Sequence, residues 1–257
     1  MEREKLTSSL ISLKENYGCA GIKMGTEAEA NSFEEIEFVM EIVQKHVPVL
    51  VKIGGPDARN DIKELLKMGV DGLIAPMVES SYGFKLFIKT LLELAGEKKF
   101  TSLIKGINVE TKTAYQCLDE IFSQAEVQYL NQITIGRGDL SSSFGREIED
   151  QAIFTVTRDI TRHAQKLGII VSIGGGITPD GAEKVAQQIT PDKINTRHVI
   201  YDLAKCRNIT EAVYHALNFE IDLLSAHEKG ISLEQSSKIR QRIEELKQRQ
   251  ACYTTNL

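Results

Sequence analysis

Two carboxylates follow consecutive apolar segments of the chain, and their placement suits a divalent cation. Glu110 comes directly after the run Leu103 to Val109, and Asp139 comes soon after the run Ile133 to Ile135. Consecutive parallel strands end at the same edge of a sheet, where the two side chains can converge. Carboxylates with open coordination positions suit a hard divalent cation. The spacing therefore predicts a metal site, although both residues also suit helix caps.

Further charged side chains stand at the ends of other apolar runs. They are Lys23 and Glu29 after the first run, Lys52 after the second, Glu79 after the third and Arg137 after the fifth. Carboxylates and cations gathered on one rim are costly unless they pair or hold a metal. The pattern predicts a polar functional site at the ends of the strands.

Backbone N–H groups near glycines are the second kind of candidate ligand. Gly174 and Gly175 lie in Ser172 to Thr178, which is similar to the phosphate-binding loops of barrel enzymes, and a bare turn is the alternative. The amides around Gly138 are candidates for holding a substrate carboxylate. Gly54-Gly55-Pro56 is interpreted as a turn alone.

Short apolar runs alternate with stretches in which apolar residues have helical spacing. These predicted strands and helices must position the candidate site residues. The runs are Ala20 to Met24, Pro48 to Ile53, Gly72 to Ala75, Leu103 to Val109, Ile133 to Ile135, Ile169 to Ile173 and His198 to Ile200. The helical stretches include Phe33 to Gln44, Ala58 to Met68, Tyr82 to Leu94, Thr113 to Gln124 and Asp150 to Leu167. The alternation favours a closed (β/α)8 TIM barrel with one irregular unit over an open doubly wound sheet.

The sequence marks the first and last elements of the barrel less clearly than those between them. The eighth strand is sought in Leu6 to Leu13, a segment that fits a helix equally well. The barrel is expected over residues 1–205, with a helical extension over 206–257. There, Leu233 to Gln250 has a narrow apolar stripe. Such a stripe packs on its own barrel or on a neighbouring subunit, and we expect a homo-oligomer, a trimer or hexamer.

Composition excludes several classes of partner. The chain has 257 residues and a net charge of −5, which argues against nucleic-acid binding. No apolar run approaches the roughly 20 residues that span a bilayer, so no membrane association is expected. The segment Met1 to Lys5 mixes both charges and leads into no signal-peptide core. Four separated cysteines fit reduced thiols, and we expect a cytoplasmic protein.

Four segments together resemble one enzyme superfamily. Ile107 to Ala114 is similar to its "IET-x-x-A" segment, and Ile135 to Gly145 to its "G-x-x-DLS…G" segment. Gly69 to Glu79 is similar to "GA-x-G-x-x-x-PMVE", and Pro48 to Lys52 stands where the family has a strand ending in Arg. Their order and spacing agree with the 2-oxo acid aldolase and citrate lyase beta-subunit superfamily.

The resemblance implies a (β/α)8 barrel that binds Mg²⁺ or Mn²⁺ through Glu110 and Asp139. The cation would chelate a 2-oxo acid such as pyruvate, and Lys52 takes the place of the family's Arg. Where the family has a "DGEH" segment, this chain has no His. Proton transfer is therefore assigned to Lys23, to a glutamate such as Glu29, or to metal-bound water.

The expected function is a metal-dependent carbon–carbon lyase acting on a small 2-oxo acid or sugar acid. Lys52 and Arg137 would stabilise the enolate or its carboxylate, and Glu79 would support the metal ligands. One alternative is an enzyme for a phosphorylated sugar or phosphoenolpyruvate, with its phosphate on Gly174 to Gly176. Another is a degenerate barrel that binds a ligand without turnover.

Overall fold

Eight strands, hydrogen-bonded in chain order, form a closed barrel, as predicted. The computed structural model describes residues 2–26, 31–43, 45–228 and 233–254. The strands are β1 (Cys19–Gly25), β2 (Val49–Lys52), β3 (Gly72–Ala75), β4 (Ile104–Asn108), β5 (Gln132–Gly136), β6 (Ile170–Gly174), β7 (Lys193–Asn195) and β8 (Val199–Asp202).

Helices surround this barrel. They are α1 (Glu2–Tyr17), α2 (Phe33–Val43), α3 (Arg59–Met68), α4 (Ser81–Ser102), α5 (Lys112–Gln116), α6 (Leu118–Phe122), α7 (Arg137–Ser143), α8 (Gln151–Lys166), α9 (Pro179–Ile189), α10 (Ile209–Glu228) and α11 (Leu233–Thr254). None of the helices in the described part of the chain has the apolar length that a bilayer requires. The helix predicted over Thr113 to Gln124 is divided into α5 and α6, and a 3-10 helix at Ala125–Tyr129 follows it.

The apolar runs form strands because both of their faces are covered. Val49 and Val51 of β2 face the surrounding helices and are 0 % exposed. Leu50 of the same strand packs with Ile74 and Ile200 in a separate apolar cluster. Alternating side chains of a strand lie on opposite faces, so this second cluster fills the inside of the barrel.

The irregular unit of the barrel is its last strand. β1 to β7 pair in parallel along the chain, whereas β8 is antiparallel to both β7 and β1. Only Thr196, Arg197 and His198 separate β7 from β8, so no helix intervenes. The chain instead turns back in a hairpin at the end of the barrel where the parallel strands terminate.

The search for the eighth strand in Leu6 to Leu13 was wrong, because this segment lies within α1. Its three leucines are spaced for one face of that helix, and all are buried. The strand that sequence patterning missed is β7, which has only three residues and begins with a lysine. A strand this short leaves no apolar run to detect.

The C-terminal helices pack on their own chain. α10 contacts α1 and α9, and its Val213 and Leu217 are fully buried. In α11, Ile239, Ile243 and Leu246 of the narrow stripe are buried in the same core. These stripe residues therefore need no neighbouring barrel to cover them. The stripe no longer supports a homo-oligomer, which stays a prediction.

Glu220 of α10 holds the reversing hairpin from outside the barrel. Its carboxylate is 0 % exposed. Oε1 accepts hydrogen bonds from the Thr196 hydroxyl at 2.5 Å, from the His198 N–H at 2.6 Å and from the Val199 N–H at 3.0 Å. Buried backbone N–H groups need acceptors, and here one side chain supplies them at the point where the strand direction changes.

We predict that Glu220→Ala lowers the free energy of unfolding by about 1–3 kcal/mol, the cost of one buried donor left unsatisfied, because the His198 N–H loses its acceptor whereas the Thr196 hydroxyl and the Val199 N–H keep each other's residue as partner. Urea denaturation followed by far-UV circular dichroism measures the change. Glu245→Gln is the control, because its ion pair with Arg197 is partly exposed and such pairs contribute about 1 kcal/mol or less. A Glu220→Ala protein as stable as the control would show that the hairpin is held by other contacts.

Candidate active site

The mouth of the barrel, where β1 to β7 end, is lined by polar side chains. The apolar cluster of Leu50, Ile74 and Ile200 lies deeper inside the barrel. Asn108, Thr134 and Ser172 are in register on β4, β5 and β6, and all three are buried. The Ser172 hydroxyl donates to Asn195 Oδ1 at 2.7 Å. Our sequence-based site prediction omitted Thr134 and Ser172. The available signal was a small polar residue in the middle of each apolar run.

Glu110 is the most constrained carboxylate at this mouth. It follows β4 and is only 3 % exposed. Oε1 accepts from the Met77 N–H at 3.0 Å, and Oε2 accepts from Asn108 Nδ2 at 2.9 Å. Met77 has a φ of 51°, a left-handed conformation that costs a non-glycine residue about 1–2 kcal/mol. The strained turn after β3 thus directs a backbone donor at the carboxylate.

Glycine at the end of β5 makes room for that carboxylate. A Cβ added at Gly136 would lie 2.7 Å from Glu110 Oε2 and 3.2 Å from its Cβ. A side chain of any kind at position 136 would therefore displace Glu110. The close approach of the two strand ends explains why glycine stands in this position.

Electrostatics link Glu110 to two other predicted residues. Burial raises the pKa of Glu110, and the charge of Asp139 raises it further. The Met77 N–H bond, the Lys52 ammonium and the Asn108 bond lower the same pKa. Lys52 ends β2 and is 7 % exposed, while Asp139 is an exposed residue in the first turn of α7. The charges of Lys52 and Asp139 therefore both act on Glu110.

Glu79 lies at the edge of this group. It is exposed, and its Oε1 accepts from the Thr111 hydroxyl at 2.5 Å. Thr111 in turn caps α5 by accepting from the Ala114 N–H at 3.0 Å. Glu79 thus connects the loop after β3 to the residue that follows Glu110.

Lys23 lies on β1, the strand beside Lys52. Its backbone N–H donates to the His198 carbonyl at 2.6 Å, and its carbonyl accepts from His198 Nδ1 at 2.9 Å. His198 is 1 % exposed, and these two bonds join the hairpin between β7 and β8 to β1. Glu29 lies outside the described residues.

The remaining predicted cation, Arg137, is directed away from this group. Its side chain is 1 % exposed and pairs with Glu149, with Nη2 3.1 Å from Oε1. Its guanidinium also lies over the ring of Phe154 on α8. Burial lowers the pKa of Arg137, and the ion pair with Glu149 raises it. These contacts give Arg137 a structural environment rather than the enolate-stabilising position expected from the sequence.

Packing accounts for two glycines of the glycine-rich segment. Gly175 and Gly176 have φ values of 84° and 64°. An added Cβ would lie 2.6 Å from the Gly138 nitrogen at the first and 2.6 Å from Ile148 Cδ1 at the second. Gly174 and Gly138 have no such close neighbour. The conformation and the approach to α7 require glycine here whether or not an anion binds.

The donors at the mouth fit a divalent cation with few protein ligands. Within residues 2–26, 31–43, 45–228 and 233–254, no group of three or more His, Cys, Asp or Glu side chains could hold a metal. Glu110 and Asp139 are the candidate oxygen donors, and the like charge of Asp139 raises the pKa of Glu110. A hard cation relieves that repulsion and accepts water or substrate at its other positions.

Comparison by sequence finds no matching family model and no matching curated protein. Solved structures do match. An HpcH/HpaI aldolase from Desulfitobacterium hafniense DCB-2 has a TM-score of 0.56 at 16 % identity, over 69 % of this chain and 85 % of that one. Citrate synthase SbnG has a TM-score of 0.57 at 19 % identity, over 89 % and 98 %.

A HpcH/HpaI aldolase/citrate lyase family protein from Burkholderia cenocepacia J2315 also matches, with a TM-score of 0.56 at 13 % identity, over 74 % of this chain and 91 % of that one. At such identities the likeness establishes the fold alone. The chain has the barrel of these proteins, which confirms at the level of the fold the resemblance carried by the four sequence segments.

We predict that Gly136→Ala and Gly138→Ala change the free energy of unfolding differently. The first places a methyl group against Glu110 and should cost about 1–3 kcal/mol of unfolding free energy, as overpacking does. The second faces open space on a helix and should be neutral or stabilise by up to about 1 kcal/mol. Urea denaturation measures both, and equal effects would contradict the close contact between Gly136 and Glu110.

Proposed function

We propose that the protein is a metal-dependent carbon–carbon lyase of the aldolase type that acts on a 2-oxo acid. One observation carries the proposal. Glu110 is a buried carboxylate fixed by two hydrogen bonds, with Lys52 and Asp139 close enough to change its pKa. The group lies at the mouth of the barrel, the end at which barrel enzymes have their active sites.

Glu110 and Asp139 would hold the cation, Mg²⁺ or Mn²⁺. When bound, this ion supplies Lewis acidity toward the ketone and carboxylate oxygens of a 2-oxo acid. The hydrogen bonds from Met77 and Asn108 fix the Glu110 carboxylate, so little freedom is lost when it binds a ligand. The exposed Asp139 leaves the site accessible from the solvent side.

Lys52 is the residue proposed to stabilise the enolate. Its ammonium group is nearly buried beside Glu110, where a cation acts on developing negative charge more strongly than in water. Lysine supplies charge without the planar fork of arginine. It therefore suits a single oxyanion better than a carboxylate held by two parallel hydrogen bonds.

We propose that Lys23 or Glu29 carries out proton transfer. Lys23 is half-buried on the strand next to that of Lys52, so the two lysines are neighbours in the wall. Glu79, bonded to Thr111, would support the loop that presents Glu110. The alternative of phosphate binding at Gly174 to Gly176 gains no support from the structure, because packing explains two of these glycines.

We predict that Glu110→Gln and Asp139→Asn each abolish Mn²⁺ binding and leave the fold intact, because each removes one of two anionic ligands. Isothermal titration calorimetry measures the affinity. Glu147→Gln, which removes an exposed carboxylate from the loop after α7, is the control and should bind Mn²⁺ normally. Unchanged Mn²⁺ affinity in both site variants would contradict the assignment of Glu110 and Asp139 as metal ligands. A wild-type protein that binds no Mn²⁺ would favour a non-catalytic barrel.

We predict that Lys52→Ala weakens oxalate binding to the Mn²⁺-loaded protein by about 10²- to 10³-fold, in line with the loss of one oxyanion donor. Oxalate mimics the enolate of pyruvate, and the NMR-detected exchange of pyruvate methyl protons in D₂O reports enolate formation directly. Lys52→Arg should retain part of both signals. A Lys52→Ala protein with normal oxalate affinity but low stability would make Lys52 a structural ion-pair partner.

A further inference from the structure

We infer that Arg137 is a positioning residue that clamps the segment carrying Asp139 and thereby sets the cation affinity of the mouth. The part of this inference that concerns the cation rests on the proposed function. The clamp itself rests on contacts at the two ends of residues 137–149.

The clamp joins the start of α7 to the loop beyond its end. Arg137 is the first residue of α7 and follows β5 without an intervening loop. Its Nη2 donates to the Ile148 carbonyl at 2.7 Å and to Glu149 Oε1 at 3.1 Å. One side chain thus joins positions 11 and 12 residues apart in the sequence, on either side of α7.

Neighbouring helices hold the clamp in place. The Arg137 guanidinium carbon lies 4.5 Å from the ring centroid of Phe154 on α8. Lys184 of α9 places its Nζ at the same distance from that ring and 2.6 Å from Glu149 Oε2. Glu149 therefore bridges two cations, and both make cation–π contacts with the Phe154 ring.

Two contacts hold the clamped segment against the loops that follow β4 and β6. The Ser143 hydroxyl at the end of α7 accepts from the Lys112 N–H at 2.9 Å, two residues after Glu110. Gly175 fits against the nitrogen of Gly138. Asp139 lies between these two contacts, and its charge acts on Glu110. Release of the clamp would let Asp139 move relative to a carboxylate that is itself fixed.

The geometry requires arginine in particular. A planar guanidinium can stack on Phe154 while its edge donates to two acceptors, the Ile148 carbonyl and the Glu149 carboxylate. A lysine ammonium has no plane to stack and reaches the two acceptors less well. The Arg137 guanidinium forms an ion pair with Glu149. This pairing explains why Arg137 does not face the mouth although it directly follows β5.

The test compares Arg137→Lys and Arg137→Met with the wild-type protein in two measurements. Calorimetric titration gives the Mn²⁺ affinity at a temperature where each variant is fully folded. Hydrogen exchange of the α7 amides is measured in the metal-free protein. We expect at least a tenfold loss of Mn²⁺ affinity and faster α7 exchange in both variants. Arg146→Met is the matched control, since Arg146 makes an exposed ion pair with Asp150 in the same loop.

The two measurements separate this inference from the proposed function. Wild-type affinity and wild-type exchange in Arg137→Lys would overturn the clamp, and this milder variant covers the case in which Arg137→Met fails to fold. Faster exchange with unchanged affinity would also overturn it, because Asp139 would not depend on the clamp. If the wild-type protein binds no Mn²⁺, the proposed function fails, and the exchange of α7 alone decides whether Arg137 clamps the segment.

Discussion

Closure of the barrel depends on one strand that runs against its neighbours. β8 pairs antiparallel with β7 and β1, so the chain reverses within three residues and the last unit has no helix. A reversal buried beneath α10 needs acceptors for its N–H groups, and Glu220 supplies them from that helix. The C-terminal helices are therefore part of the closure.

The reversed strand also decides where a site can form. β8 ends at the opposite end of the barrel from β1 to β7, so seven strands deliver their ends to the mouth. In a closed order of eight, β4 lies across the barrel from β8. Lys52 ends β2, Glu110 follows β4 and Asp139 lies in the helix after β5, where neighbouring strands are parallel, whereas Lys23 lies on β1 beside the reversed strand.

Burial of Glu110 is the main electrostatic cost at this mouth. The fold offsets that cost with neutral donors, a backbone N–H in a strained turn and an asparagine amide, and with one nearby lysine. Gly136 is the steric counterpart, because it leaves the volume that the carboxylate occupies. The charge of Asp139 adds to the cost, because it repels the Glu110 carboxylate.

The sequence by itself determined the barrel and most of its strands and helices, but not β7. Apolar runs and helical spacing are local signals, and β3 begins and ends where they indicated. Lys52, Glu110 and Asp139 stand at or after the ends of such runs, and parallel pairing of β2 to β5 puts these strand ends at one edge of the barrel. Tertiary structure alone decided the direction of β8, the orientation of Arg137 and the packing of α11 on its own chain. These depend on contacts between residues distant in sequence, such as Glu220 with His198 and Arg242 with Glu35, which no local pattern encodes.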